Sequence, residues 1–122
     1  MNVLGMLALA SMVLVANVRE GLCEGIYYTG SLLLKYCSSE TEQMSAQQLV
    51  DYGFCEGFIS AVLGASRCGE NIYGHSSLIP DGVTVDDLKI LVVKWLAQHP
   101  EKLQLAAEGL VAESLNDSYP CN

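Results

Sequence analysis

The chain has 122 residues, with 6 Lys and Arg against 14 Asp and Glu, a formal net charge of −8. That length holds one domain, and that balance excludes a nucleic-acid binder, because affinity for phosphate comes from clustered cations. It also disfavours an anionic membrane surface and favours a basic protein partner. Hydrophobic residues make up 51% and charged residues 16%, which is not the composition of a disordered acidic tail. Five cysteines in so short a chain point to disulfides and an oxidising compartment.

The first 18 residues carry no charged side chain, and Val3 to Ala16 reads VLGMLALASMVLVA. This run is shorter than the ~20 residues needed to cross a bilayer core. It has the character of the apolar core of a secretory signal peptide, with cleavage expected after Ala16. The N-terminus lacks the usual Lys or Arg, so an uncleaved anchor is the competing reading. The expected organisation is a signal peptide over 1–16 and a single helical domain over 17–122, with no membrane contact after cleavage.

A first helix is predicted from about Glu20 to Cys37, with Ile26, Gly30, Leu33, Leu34 and Cys37 on one face at 3.6-residue spacing. After a polar connection, Ser45 with Gln48 three residues later has the spacing of a capping box and opens a second helix. Tyr52, Cys55, Ile59 and Val62 form its inner face. Gly53, Gly57 and Gly64 cost helix propensity, ~1 kcal/mol each relative to Ala. Their retention suggests close approach by a neighbouring backbone.

Residues 68–83 read CGENIYGHSSLIPDGV, and Gly69, Gly74, Pro80 and Gly82 break any period, so this is a long loop. Thr84 is the expected cap of a third helix, with Asp86 and Asp87 in its first turn, where the helix dipole favours negative charge. Leu88, Leu91, Val92, Trp95 and Leu96 make an amphipathic stripe. Pro100 ends that helix and is placed to start a fourth, along which Leu103, Ala106, Ala107, Leu110 and Val111 repeat the stripe. Residues 119–122 form an extended tail that Cys121 can tie down. No segment alternates with period two for long enough to be a strand. The fold class is therefore all-α: a small, disulfide-stapled four-helix bundle with one long loop between the second and third helices.

Catalytic and metal-binding chemistry is thin. His75 and His99 lack the spacing of metal ligands, there is no Cys-x-x-Cys pair, and no glycine-rich loop leads to a lysine. His75, Ser76 and Asp81 share one loop, but a triad is defined by spatial geometry rather than by proximity in sequence. Glu56 reads as part of a solvated face, and His99 before Pro100 as a helix junction. No catalytic residue, cofactor or metal is assigned. Cys23, Cys37, Cys55, Cys68 and Cys121 allow two bridges and one leftover, and the sequence does not choose among the pairings. An up-down bundle would bring Cys23 and Cys68 to one end, where Cys121 competes for Cys68.

Several motifs occur in a fixed order. Gly30-x-Leu32 leads to Cys37; Cys55-x-Gly57-Phe58-Ile59 follows; then Ile79-Pro80-x-Gly82-Val83-Thr84; then Leu88, Val92, Trp95-Leu96 and His99-Pro100; then Leu110-Val111 and a closing Tyr119-Pro120-Cys121. Together they resemble the Rap/Tai family of immunity proteins, which protect bacteria from peptidoglycan amidase toxins delivered by type VI secretion. The resemblance covers about Gly30 to Cys121. It implies a periplasmic, all-helical, disulfide-bearing protein that is not an enzyme. It further implies a homodimer that blocks the active-site groove of the amidase with a helix of one subunit and a protruding loop of the other.

Two departures stand out. Leu78 occupies the position before Ile-Pro where the family usually has cysteine, so its bridge pattern is not carried over. Ala61 stands where glycine is common. Because the shared motifs are mostly core, cap and cysteine positions, specificity is expected on exposed residues outside them. The first choice is the segment Gly69 to Ser77, with Glu70, Asn71, Tyr73 and His75 as partner-binding candidates and Tyr73 as the main anchor. Asp86 and Asp87 come second, with helix capping as their simpler role. The alternative function is a small periplasmic stress-response or chaperone-like helical protein without a toxin partner.

Overall fold

The computed structural model describes residues 28–38 and 42–122. Within them lie α1 (Gly30–Cys37), α2 (Ala46–Ala65), α3 (Val85–Gln98) and α4 (Ala107–Ser118), with a 3₁₀ turn at Pro100–Lys102 between the last two. Among the described residues there is no named strand, only four isolated bridges. The all-α bundle with a long loop between α2 and α3 is the architecture observed. Its core is built from Leu33, Ile59, Leu88, Val92, Leu96, Val111 and Leu115, each at most 1% exposed. An aromatic group flanks it where α1 meets α2, with the Tyr28 and Phe54 rings 4.9 Å apart and the Tyr36 and Phe54 rings 5.1 Å apart.

The helix starts follow local chemistry. The Ser45 hydroxyl accepts from the Gln48 N–H, and Gln48 Oε1 accepts from the Ser45 N–H at 2.8 Å, completing the expected capping box. Thr84 and Asp87 make the same reciprocal pair at the start of α3. Thr84 holds the Asp87 carboxyl below the usual carboxylate range, chiefly by donating its backbone N–H and then its hydroxyl. At the far end of α3 the helix stops before Pro100, and the His99 ring stacks on Trp95 with centroids 3.9 Å apart. Because the Trp95 carbonyl can only accept, the His99 Nδ1 at 2.7 Å carries the proton.

Two expected helices are shorter than the periodicity implied, for one shared reason. Of the first helix predicted over 20–37, residues 20–27, with Ile26, lie outside the described residues, and Tyr28 and Thr29 are not helical. Thr29 instead caps α1, its side chain accepting from the Leu32 N–H. The fourth helix does not run on from Pro100; it begins at Ala107. The backbone of residues 28–31 is engaged with that of 103–107. Gly30 N–H donates to Leu105 O at 3.0 Å, Ser31 N–H to Leu103 O at 2.9 Å, and Ala107 N–H to Tyr28 O at 2.7 Å. Groups committed to this cross-link cannot also form intrahelical bonds. Gly30 makes the approach feasible, since a Cβ there would lie 2.5 Å from Leu110 Cδ1 and 3.2 Å from Leu103 Cα.

The glycines expected to admit a neighbouring backbone do not do so. A Cβ on Gly53, Gly57 or Gly64 would meet nothing within 4 Å, and all three lie on the exposed face of α2. Lys89 is the converse surprise: it is 2% exposed, with Nζ 2.8 Å from Asp86 and 4.3 Å from the centre of the Tyr52 ring. Asp86 and Asp87 are thus engaged in pairing and capping, their simpler role. Tyr52 donates to Glu56, and this hydrogen bond raises the phenol above its ordinary value.

Two disulfides are present, Cys37–Cys55 and Cys68–Cys121. The first ties α1 to α2. The second realises the competing Cys121 pairing that the sequence left open: the tail returns along the loop, and its cysteine takes Cys68. Cys23 lies outside the described residues.

Candidate functional site

The loop after α2 is anchored at both ends before it reaches its tip. Ser66 closes α2, donating its hydroxyl to Val62 O at 2.8 Å and accepting from the Ser77 N–H at 2.8 Å. On the other side, the Asn116 amide donates to Ser76 O at 2.6 Å, and the Leu78 N–H donates to Tyr119 O at 2.9 Å. The Cys68–Cys121 bridge adds a covalent tie, and the Ser76 hydroxyl lies 3.5 Å from Cys121 Sγ. The segment Gly69 to Ser77 is therefore stapled to the C-terminal tail.

Its tip is a tight reversal. Ile72 and His75 exchange two backbone hydrogen bonds, at 3.0 and 2.9 Å. The two residues between them both have positive φ, +50° at Tyr73 and +85° at Gly74. This is the signature of a type I′ turn, whose first central position suits Asn, Asp or Gly. A tyrosine there is strained, by of order 1–3 kcal/mol for a non-glycine residue. The Asn71 side chain steadies the turn by accepting from the Gly74 N–H at 3.0 Å.

The strained turn lays Tyr73 across the first turn of α4. A Cβ on Gly109 would lie 2.8 Å from Tyr73 Cδ2, so only glycine leaves room for the ring. The phenol donates to Glu108 Oε1 at 3.3 Å. Even so, Tyr73 remains 68% exposed, and Leu105 beside it is 56% exposed. Together with His75, Ala106, Gly109, Leu110 and Glu113 they line a cleft of about 310 Å³. At its edge Lys102 Nζ donates to Glu113, a hydrogen bond that raises the lysine above its ordinary value.

Of the four candidate residues, the structure brings Tyr73 and His75 together on this cleft. Asn71 is spent on closing the turn, and Glu70 is an exposed residue of the preceding turn, its N–H bonded to Arg67 O at 2.8 Å. The α4 side of the cleft, from Leu105 to Glu113, was not singled out from the sequence. Gly109, a glycine beside the apolar stripe of the last helix, is the one signal that marked it. Among the described residues, no group of three or more His, Cys, Asp or Glu side chains could hold a metal ion, and no helix is long and apolar enough to cross a membrane.

A search of curated proteins gives no match. A family model described as Rap1a immunity proteins matches residues 29–121, from the cap of α1 to the second disulfide. That span takes in every helix and both bridges described above. The chain therefore belongs to the family of Rap1a immunity proteins, whose role is immunity to a type VI effector through binding of that effector protein.

Proposed function

We propose that this chain is a periplasmic immunity protein, exported behind a leader over residues 1–16, that binds a peptidoglycan amidase effector and blocks its active-site groove. The observation that carries this reading is the family match over residues 29–121. The net charge of −8 supports it, because a strongly acidic inhibitor associates fastest with a basic enzyme surface. So does the exposure of a strained tyrosine on a loop held by one disulfide and several hydrogen bonds, since a pre-ordered loop loses less freedom on binding. In this reading the protein works as a homodimer and is not itself an enzyme.

The test is capture of the candidate amidase by the oxidised mature chain, followed by a peptidoglycan digestion assay. Stoichiometric capture with loss of digestion supports the proposal. A folded protein that captures no amidase and leaves digestion intact refutes it, and binding of many unfolded proteins instead would favour the chaperone-like alternative. Tyr73→Ala is expected to weaken capture while leaving the bundle folded. Unchanged affinity in the folded variant would remove Tyr73 from the contact.

A further inference from the structure

The cleft beside Tyr73 has a definite chemistry. Its floor and walls are apolar, from Leu105, Ala106, Gly109 and Leu110, and the ring of Tyr73 overhangs it. About 310 Å³ is at the lower end of the range for small-molecule clefts, a size suited to one or two side chains rather than to a large ligand. Its rim is acidic. Glu113 is committed to Lys102, whereas Glu108 accepts from the neutral Tyr73 phenol. A carboxylate has about four acceptor positions, so Glu108 has room for a cationic donor after the phenol is served. Tyr73 and Leu105 are exposed side chains that frame the opening, and Tyr73 is of the residue type that carries interface energy when a partner covers it.

We infer that this cleft receives a bulky apolar side chain of the effector, flanked by a Lys or Arg that pairs with Glu108. The inference rests on the immunity reading for the identity of the partner; the chemistry of the occupant comes from the cleft alone. It makes the contact two-sided. The turn at Tyr73 and Gly74 projects towards the partner, and the groove it forms with α4 takes a projection back. The apolar contact supplies affinity, and the charge pair selects among partners with similar apolar surfaces.

The experiment uses the full oxidised chain, labelled with ¹⁵N, titrated with three capped dipeptides: acetyl-Leu-Arg-amide, acetyl-Leu-Glu-amide and acetyl-Gly-Arg-amide. The first is expected to shift the amides of Ile72–His75 and Leu105–Leu110 in a saturable way. The other two should bind at least about fivefold more weakly, each lacking one half of the recognition. In Glu108→Gln the preference for Arg over Glu should shrink. Equal response to all three peptides, or shifts centred elsewhere, overturns the inference. With the captured effector, a photoreactive benzoylphenylalanine at position 105 should cross-link to a segment in which an apolar residue neighbours Lys or Arg; a cross-link to an acidic segment overturns it. The two readings fail separately. Selective dipeptide binding without any effector capture refutes the immunity reading and leaves the cleft chemistry standing, whereas effector capture without dipeptide selectivity does the reverse.

Discussion

Gly109→Ala tests whether Tyr73 is held by its own turn or by its seat on α4. Gly109 is the third residue of α4, where replacing glycine with alanine gains helix stability of about 0.5–1 kcal/mol. Against this, the new methyl carbon would sit 2.8 Å from Tyr73 Cδ2 and 3.2 Å from Cε2, so the ring must move by several tenths of an ångström or swing away. The ring is 68% exposed, and its hydrogen bond to Glu108, at 3.3 Å, is at the surface, so moving it costs a few tenths of a kcal/mol up to about 1. The balance lies between about −0.5 and +0.8 kcal/mol. With roughly 4–8 °C per kcal/mol for a domain of this size, the melting temperature should change by between about −4 and +6 °C. Effector affinity should nonetheless fall, because the cleft is filled and its overhanging wall displaced. Melting followed by circular dichroism, together with effector titration of the same sample, reads both quantities. A melting temperature lowered by more than about 8 °C would refute the reasoning, since it would mean that the Tyr73 ring is locked in place and structural.

Gly30→Ala should behave in the opposite way, because its new atom would meet Leu103 backbone at 3.2 Å as well as Leu110; a loss of about 1–3 kcal/mol in urea unfolding is expected, and a neutral result would refute the claim that glycine permits the 28–31 to 103–107 cross-link. Ser77→Ala should stabilise the fold by about 1 kcal/mol, because the Ser77 hydroxyl is buried without a hydrogen-bond partner among the described residues; destabilisation by a similar amount would show that the hydroxyl is satisfied after all. Asp87→Asn should lower the urea midpoint at neutral pH, and the gap from wild type should close as the solution is acidified. Asp87 is held below its ordinary value in the fold, so its contribution is complete above the unfolded-state value and is lost as pH falls through the folded one. A gap that stays constant down through the carboxylate range would exclude the cap as its source.

Features written in side-chain chemistry a few residues apart were legible in the sequence. The capping boxes at Ser45 and Thr84, the stop before Pro100, and the stripes of α2 and α3 all depend on local spacing, and all are present. Features that depend on distant backbone were not. The starts of α1 and α4 are set by each other, through hydrogen bonds that no periodicity encodes. The same applies to glycine. Gly30 and Gly109 are crowded by residues far along the chain, while Gly53, Gly57 and Gly64, which looked significant within one helix, face open space. Lys89 lies at the edge of the α3 stripe, beside Leu96, and is buried with its Nζ over the ring of Tyr52 on another helix, a contact that no spacing within α3 encodes. At the candidate site, the loop half was visible as a break in periodicity with an aromatic in it. The half contributed by α4 was hidden, because Leu105 and Glu108 look like ordinary surface until Tyr73 is laid beside them.

The bridges divide the described chain into two covalent rings in series, residues 37–55 and 68–121, neither enclosing the other. The loop tip, the third and fourth helices and the cleft all belong to the second ring. A protease that cuts once within the exposed turn Gly69–Gly74 would therefore release no fragment: both pieces stay joined through Cys68 and Cys121, and α4 remains attached to the rest of the bundle. The nicked molecule would keep its mass apart from one added water, run as a single species until reduced, and separate into two pieces only when thiol is added. The exposed turn is thus a place where a single broken peptide bond does not break the molecule.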